Sequence, residues 1–170
     1  MELRRPPDRT PHGYLHFVQS RLREYEVCEW LSDLGLPTAM PDKCTHPYDI
    51  WCNGWRVEVK GAVLGATGKY WTFTICNGRP TDEKKRDFYV LVPRAEFLHR
   101  GKLHIVLPSP TGQMGIGLNI KQLPNWLHYV NWTSPLAYKG PHKRPESNVD
   151  HAARKAYFES QAAELSEVSA

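Results

Sequence analysis

Asn53-Gly54 stands between two β-rich runs, Tyr48-Asp49-Ile50-Trp51-Cys52 and Trp55-Arg56-Val57-Glu58-Val59-Lys60. Both residues tolerate the positive φ of a type I′ turn, so the dipeptide predicts a tight antiparallel hairpin. A two-residue loop sets the register: Cys52 faces Trp55, Trp51 faces Arg56, Ile50 faces Val57 and Asp49 faces Glu58. Alternate residues share a side of a strand, which groups Asp49, Trp51, Arg56, Glu58 and Lys60 on one face and Ile50, Cys52, Trp55, Val57 and Val59 on the other. One face is apolar and the other is chemically loaded.

Opposed carboxylates in a hairpin repel each other by a few tenths to about 1 kcal/mol. A hard divalent cation offsets that repulsion, because it takes oxygen ligands from one or two carboxylates and keeps waters for chemistry. Lys60, one pleat from Glu58, adds a positive charge suited to orienting water or stabilising a phosphodiester transition state. The competing reading is an exposed hairpin face with solvated charges. The segment before the hairpin weighs against it. A helical pattern runs from Tyr14 to Leu34 and stops at Gly35, with Pro37 beyond. On it Glu26, Glu29 and Asp33 share a polar face, whereas Glu24 falls among Val27, Cys28 and Leu31. A carboxylate on an apolar face needs a partner, either a structural cation or the site built by Asp49 and Glu58.

Around this unit, residues 1–13 are expected to be a flexible lead-in ending near Thr10-Pro11, a helix start, and residues 14–140 the catalytic domain. Residues 141–170 are expected to be a linker followed by a terminal helix over Asp150 to Glu167. A strand is expected at Tyr70 to Cys76, with Trp71 in the core. Phe88 to Val92 and Leu103 to Leu107 are apolar runs suited to strands covered on both faces. Gly112 to Gly117 reads as loop, and Leu123 to Val130 as a short helix. The fold class is α/β, a mixed sheet flanked by helices.

The net charge of +4 hides an asymmetry: residues 1–145 hold 20 Lys+Arg against 13 Asp+Glu, and residues 146–170 hold 2 against 5. A basic body suits a phosphate backbone as partner. No stretch approaches the roughly 20 apolar residues of a membrane helix, and a cytoplasmic protein is the expectation. The four cysteines, Cys28, Cys44, Cys52 and Cys76, show no paired spacing, so reduced thiols are preferred to a zinc site built on Cys44, His46 and Cys52. Gly65-Ala66-Thr67-Gly68-Lys69 lacks the Ser/Thr of a P-loop and precedes a strand rather than a helix, which argues against nucleotide binding there.

The order of helix, Asp-bearing hairpin and Glu-x-Lys, written here as Pro47-Tyr48-Asp49 with Glu58-Val59-Lys60 following, resembles the PD-(D/E)XK nuclease superfamily. The interval from Glu24 to Gly35 looks like the first helix of archaeal-type Holliday junction resolvases. Tyr48 stands where a proline often precedes the aspartate, and Gly61 where resolvases often have Ser or Thr. The resemblance implies a restriction-endonuclease-like core and a Mg²⁺-dependent DNA endonuclease, with Mn²⁺ substituting. It implies Asp49, Glu58 and the Val59 carbonyl as metal ligands, Glu24 binding metal or water, and Lys60 as catalytic lysine. Lys43, Arg56, Lys69, Arg79, Lys84, Lys85 and Arg86 are candidate DNA contacts. A homodimeric Holliday junction resolvase leads, since paired cuts call for two symmetric sites. A restriction, homing or repair endonuclease follows, and then a silent nucleic-acid-binding module.

Overall fold

The computed structural model describes residues 10–42, 46–64, 70–74, 86–92, 104–109, 115–119 and 127–168. Helix α1 spans Pro11–Asp33. Thr10 caps it, its hydroxyl oxygen accepting from the Gly13 amide (3.1 Å), and Pro11 occupies the first turn, where its missing N–H is not needed. At the other end Gly35 takes φ +83°. The Gly35 amide donates to the Ser32 carbonyl and the Leu36 amide to the Leu31 carbonyl, a glycine-dependent stop that also packs Leu36 against the core.

Among the described residues there are eight strands, β1 (Thr38–Ala39), β2 (Ile50–Cys52), β3 (Trp55–Gly61), β4 (Val63–Leu64), β5 (Tyr70–Thr74), β6 (Phe88–Val92), β7 (Ile105–Pro108) and β8 (Gly115–Asn119), followed by helix α2 (His151–Val168). They form a five-stranded mixed sheet, ordered β1-β2-β3-β6-β7 with β3 and β6 parallel, and a three-stranded antiparallel sheet, β4-β5-β8. One face of the large sheet packs Ile50, Cys52, Val57, Val59, Val90 and Val106 against Val27 and Leu31 of α1. The other packs Tyr89, Leu91, Ile105 and Leu107 with Ala62 and Phe73. Strands β6 and β7 are thus covered on both faces, as their apolar runs require. Helix α2 lies on α1, burying Phe158 against Val18, Tyr25 and Met40. Among the described residues no helix is long and apolar enough to cross a membrane.

Two local expectations are corrected. Of the loop expected over Gly112 to Gly117, residues 115–117 belong to strand β8, whose backbone is completed by β5 along Tyr70–Thr74 despite two glycines, and residues 112–114 lie outside the described set. Of the short helix expected over Leu123 to Val130, the described part is a 3₁₀ rather than an α turn, Leu127–Tyr129, and residues 123–126 lie outside the described set. The side chain of Trp71 and all of Cys44 and Cys76 also lie outside it, while Cys28 and Cys52 are free thiols.

The hairpin forms with Asn53 at φ 48° and Gly54 at φ 91°, and with the register Ile50↔Val57, Trp51↔Arg56, Cys52↔Trp55. The segment from Leu136 to His142 crosses it as a strap. The Gly140 amide donates to the Asn53 carbonyl (2.8 Å) and the His142 amide to the Gly54 carbonyl (2.9 Å). The indoles of Trp51 and Trp55 donate to the carbonyls of His142 and Tyr138. A β-carbon on either Gly54 or Gly140 would run into the other's backbone. Gly54→Ala and Gly140→Ala are therefore each expected to lower stability by about 2 kcal/mol. Urea unfolding checks this, and losses below about 0.5 kcal/mol, the surface-substitution level, would show that the strap does not clamp the turn.

Candidate active site

Glu58 lies on the central strand β3, opposite Tyr89 of β6, and is only 5% exposed. Both its oxygens are held: Lys60 Nζ donates to Oε1 (2.5 Å), and Arg86 Nε stands 3.1 Å from Oε2. Arg86 also donates to the Pro47 carbonyl (3.1 Å) and to the Tyr89 hydroxyl (3.2 Å). One guanidinium thus ties Glu58 to the segment that carries Asp49.

Asp49 departs from the expected pairing. The ladder ends at Ile50↔Val57, and the Asp49 amide donates to the Val57 carbonyl (3.0 Å), one step out of register. Its carboxylate then takes a place a strand carbonyl would occupy, Oδ2 accepting from the Val59 amide (2.8 Å). Asp49 and Glu58 are therefore not ladder partners, although their charges still act on each other. A side-chain oxygen bound to the next strand's amide fixes Asp49 more firmly than a ladder pairing would, since the carboxylate itself is the anchored group.

Glu24 comes to the same place from α1 and is 3% exposed. The Arg21 guanidinium approaches its Oε2 to 2.7 Å, but off the hydrogen-bonding direction, and that oxygen accepts no hydrogen bond. Burial first, then the Asp49 carboxylate, push the Glu24 pKa well above the usual carboxylate range; Arg21 and Lys60 pull the other way. Burial and Asp49 likewise push Glu58 up to about 7, against the pull of Lys60 and Arg86. The structure thus gathers Glu24, Asp49, Glu58 and Lys60 into one electrostatically coupled group. Two of the three carboxyl groups are buried, and their repulsion is an unfavourable energy of the kind that functional sites often carry.

Among the described residues no group of three or more His, Cys, Asp or Glu side chains is placed to hold a metal ion.

The expected DNA contacts fall into two groups. Lys43, Lys69, Arg79, Lys84 and Lys85 lie outside the described residues. Arg56 forms a bidentate pair with Asp87 (3.1 Å on each arm), while its amide donates to Asp87 Oδ2 (2.8 Å), and His142 Nε2 lies 3.2 Å from the same oxygen. Arg86 is held by Glu58. Neither arginine can reach a phosphate without giving up a partly buried ion pair. Sequence reasoning missed Arg86 as a member of the acidic cluster, because nothing within 20 residues of it signals Glu58. It also missed Arg21, although the i, i+3 spacing to Glu24 is a local signal. Arg23, whose guanidinium covers Gly61 so closely that a β-carbon there would displace it, was not singled out either.

No family profile matches the chain, and no curated protein matches it in sequence. Among solved structures it is similar to the bacterial homing endonuclease I-Ssp6803I, at a TM-score of 0.51 and 16% identity, over 67% of this chain and 88% of that one. At that identity the likeness is one of fold: this chain has a mixed-sheet α/β architecture shared with a homing endonuclease.

Proposed function

We propose that this protein is a metal-dependent DNA endonuclease whose active site is the cluster of Glu24, Asp49, Glu58 and Lys60. The observation that carries the reading is the crowding of three carboxyl groups, two of them buried with raised pKa values, beside a lysine that bonds Glu58. The likeness to a homing endonuclease supports it from the side of the fold.

The donors suit Mg²⁺: hard carboxylate oxygens in mutual repulsion, one of them without a hydrogen bond. Asp49 and Glu58 would hold the ion, with the Val59 carbonyl and Glu24 completing the set, and Mn²⁺ is expected to substitute. When bound, the cation supplies an activated water and offsets the charge that builds on the phosphate. The chain's own residues do the rest. Lys60 has three N–H donors and uses one on Glu58, leaving two for a water or a phosphate oxygen. Arg86 holds Glu58 in orientation while Val59 holds Asp49. Tyr89, fully buried behind Glu58, keeps bulk water from one side and so preserves the strength of these charges.

As a positioning residue, Arg86 should show itself in the chemical step. Arg86→Met is expected to lower the single-turnover rate about tenfold at saturating DNA without changing DNA affinity, and Arg86→Lys to recover part of the loss. A change in affinity and salt dependence with the rate intact would instead make Arg86 a phosphate contact.

Linear duplex is the favoured substrate, in the manner of a homing, restriction or repair endonuclease, because the fold likeness points there. The Holliday junction reading rests on the helix interval from Glu24 to Gly35. Two symmetric cuts in either substrate are best served by a homodimer. The test is cleavage of labelled linear duplex, flap and four-way junction in Mg²⁺ and in EDTA. Metal-dependent cutting of any of them supports the endonuclease, and preference among them selects the subclass. Binding without cutting in Mg²⁺ or Mn²⁺ would leave a silent nucleic-acid-binding module.

A further inference from the structure

The strap over the hairpin carries a density of charge that the ion-pair network does not absorb. Tyr138-Lys139-Gly140-Pro141-His142-Lys143-Arg144 has three lysine or arginine residues in seven positions and no acid. Lys139, Lys143 and Arg144 are exposed, and Tyr138 is 77% exposed. The neighbouring cations are paired: Arg56 with Asp87, Arg86 with Glu58, Lys155 with Glu29, and His142 beside Asp87. Lys139 and Lys143 have no carboxylate within ion-pair distance among the described residues.

A run of exposed lysines is ordinarily a solvated surface. Two observations set this one apart. The first is how firmly its backbone is held. Asn53 donates through its side chain to the Leu136 and Ala137 carbonyls, and two indoles and two backbone amide bonds tie residues 138 to 142 to the turn. The contact of Gly54 with Gly140 leaves no room for either segment to slide. A connector between domains has no use for such fixing, whereas a binding surface gains from it, since the ordering is done before the ligand arrives. The second is its place. Trp51 lies on the same side of the hairpin as Arg56, Glu58 and Lys60, and its indole bonds the His142 carbonyl. The His142 end of the strap therefore lies on the side of the hairpin that carries Arg56, Glu58 and Lys60, while its Tyr138 end bonds Trp55 on the other side.

We propose that the strap, through Lys139 and Lys143, is a second phosphate-contacting surface, holding the backbone of duplex DNA on the flank of the active site. This deepens the endonuclease reading and rests on it for the identity of the ligand. A nucleic-acid backbone fits because it is a periodic anion: separate ammonium groups a few residues apart on a fixed chain meet successive phosphates, and each contact releases counterions. Tyr138 beside them offers an aromatic surface to the sugar or an unstacked base.

The experiment is binding of a labelled 30-base-pair duplex in EDTA over a series of salt concentrations, comparing wild type with the double variant Lys139→Ala/Lys143→Ala, and then single-turnover cleavage of both in Mg²⁺. Each phosphate contact contributes about 0.9 to the slope of log K against log salt, so the double variant should flatten the slope by about 1.8 and weaken binding at least about tenfold near 0.1 M salt. The cleavage rate at saturating DNA should be unchanged. Gly140→Ala, which keeps every charge but displaces the strap, should weaken binding if the variant remains folded by circular dichroism. An unaltered slope and affinity in the double variant overturn the strap proposal and leave the endonuclease reading standing. Strap-dependent binding without cutting in any metal does the reverse, and no binding of duplex by wild type defeats both.

Discussion

Lys60→Ala is expected to lower the single-turnover cleavage rate by roughly 100- to 1,000-fold, and Glu58→Ala to remove metal-dependent cutting altogether, with duplex affinity in EDTA changed by less than about threefold. The asymmetry between rate and affinity follows from where these groups sit. Glu58 is 5% exposed, and Lys60, only partly exposed, is held to it, so little of either group is offered to the outer surface that DNA meets first. In the proposed reaction their charges would act on the phosphate, where a fixed ammonium group in a poorly hydrated site is worth several kcal/mol of barrier. Cleavage assays at saturating enzyme, paired with binding in EDTA, measure the two quantities separately. Retention of wild-type cutting in Lys60→Ala would remove the lysine from the chemistry and with it the present assignment of the site.

Glu58→Gln should make the protein more stable at pH 8 in EDTA, by up to about 3 kcal/mol, even as it inactivates it. Burial and the Asp49 carboxylate push the Glu58 carboxyl up to about 7. A raised folded-state pKa means that the native protein holds a proton which the unfolded chain releases at a lower pH. Its favourable contribution is fully present below about pH 4.5 and is lost as pH rises through about 7. Above that point wild type must keep an ionised carboxylate in a site that disfavours it. Glutamine has the same shape and no charge, so it escapes that penalty. Each pKa unit corresponds to about 1.4 kcal/mol, which bounds the gain at pH 8, and the two proteins should converge near pH 4.5. Thermal or urea unfolding at the two pH values decides it. A variant less stable than wild type at pH 8 would mean that the bonds from Lys60 and Arg86 outweigh the repulsion. A gain in stability on losing a functional carboxylate is the usual mark of a site in which function and folding compete.

Much of this arrangement could be read from short stretches of sequence. Asn53-Gly54 announced the turn, and the turn set the register of Trp51 with Arg56 and Ile50 with Val57. Thr10-Pro11 and Gly35 bounded α1 to within a few residues. Glu24 stood out because a helical period placed it among Val27, Cys28 and Leu31, and the fold does bury it there. The single step of register lost at Asp49 was not readable, because it depends on whether a carboxylate or a carbonyl receives the Val59 amide, and both are chemically acceptable.

What the sequence determined by itself was local: turn type, helix ends, the alternation of faces, and the candidacy of Asp49, Glu58, Lys60 and Glu24. These follow from φ/ψ preferences and side-chain periodicity, which act over a handful of neighbouring residues. Only the tertiary structure decided that Arg86, 28 positions beyond Glu58, would hold it, that Arg56 would be taken by Asp87, and that a segment more than 80 residues away would clamp the hairpin. Such pairings are fixed by which buried surfaces and unsatisfied groups meet once every element is packed, and no local pattern encodes that meeting.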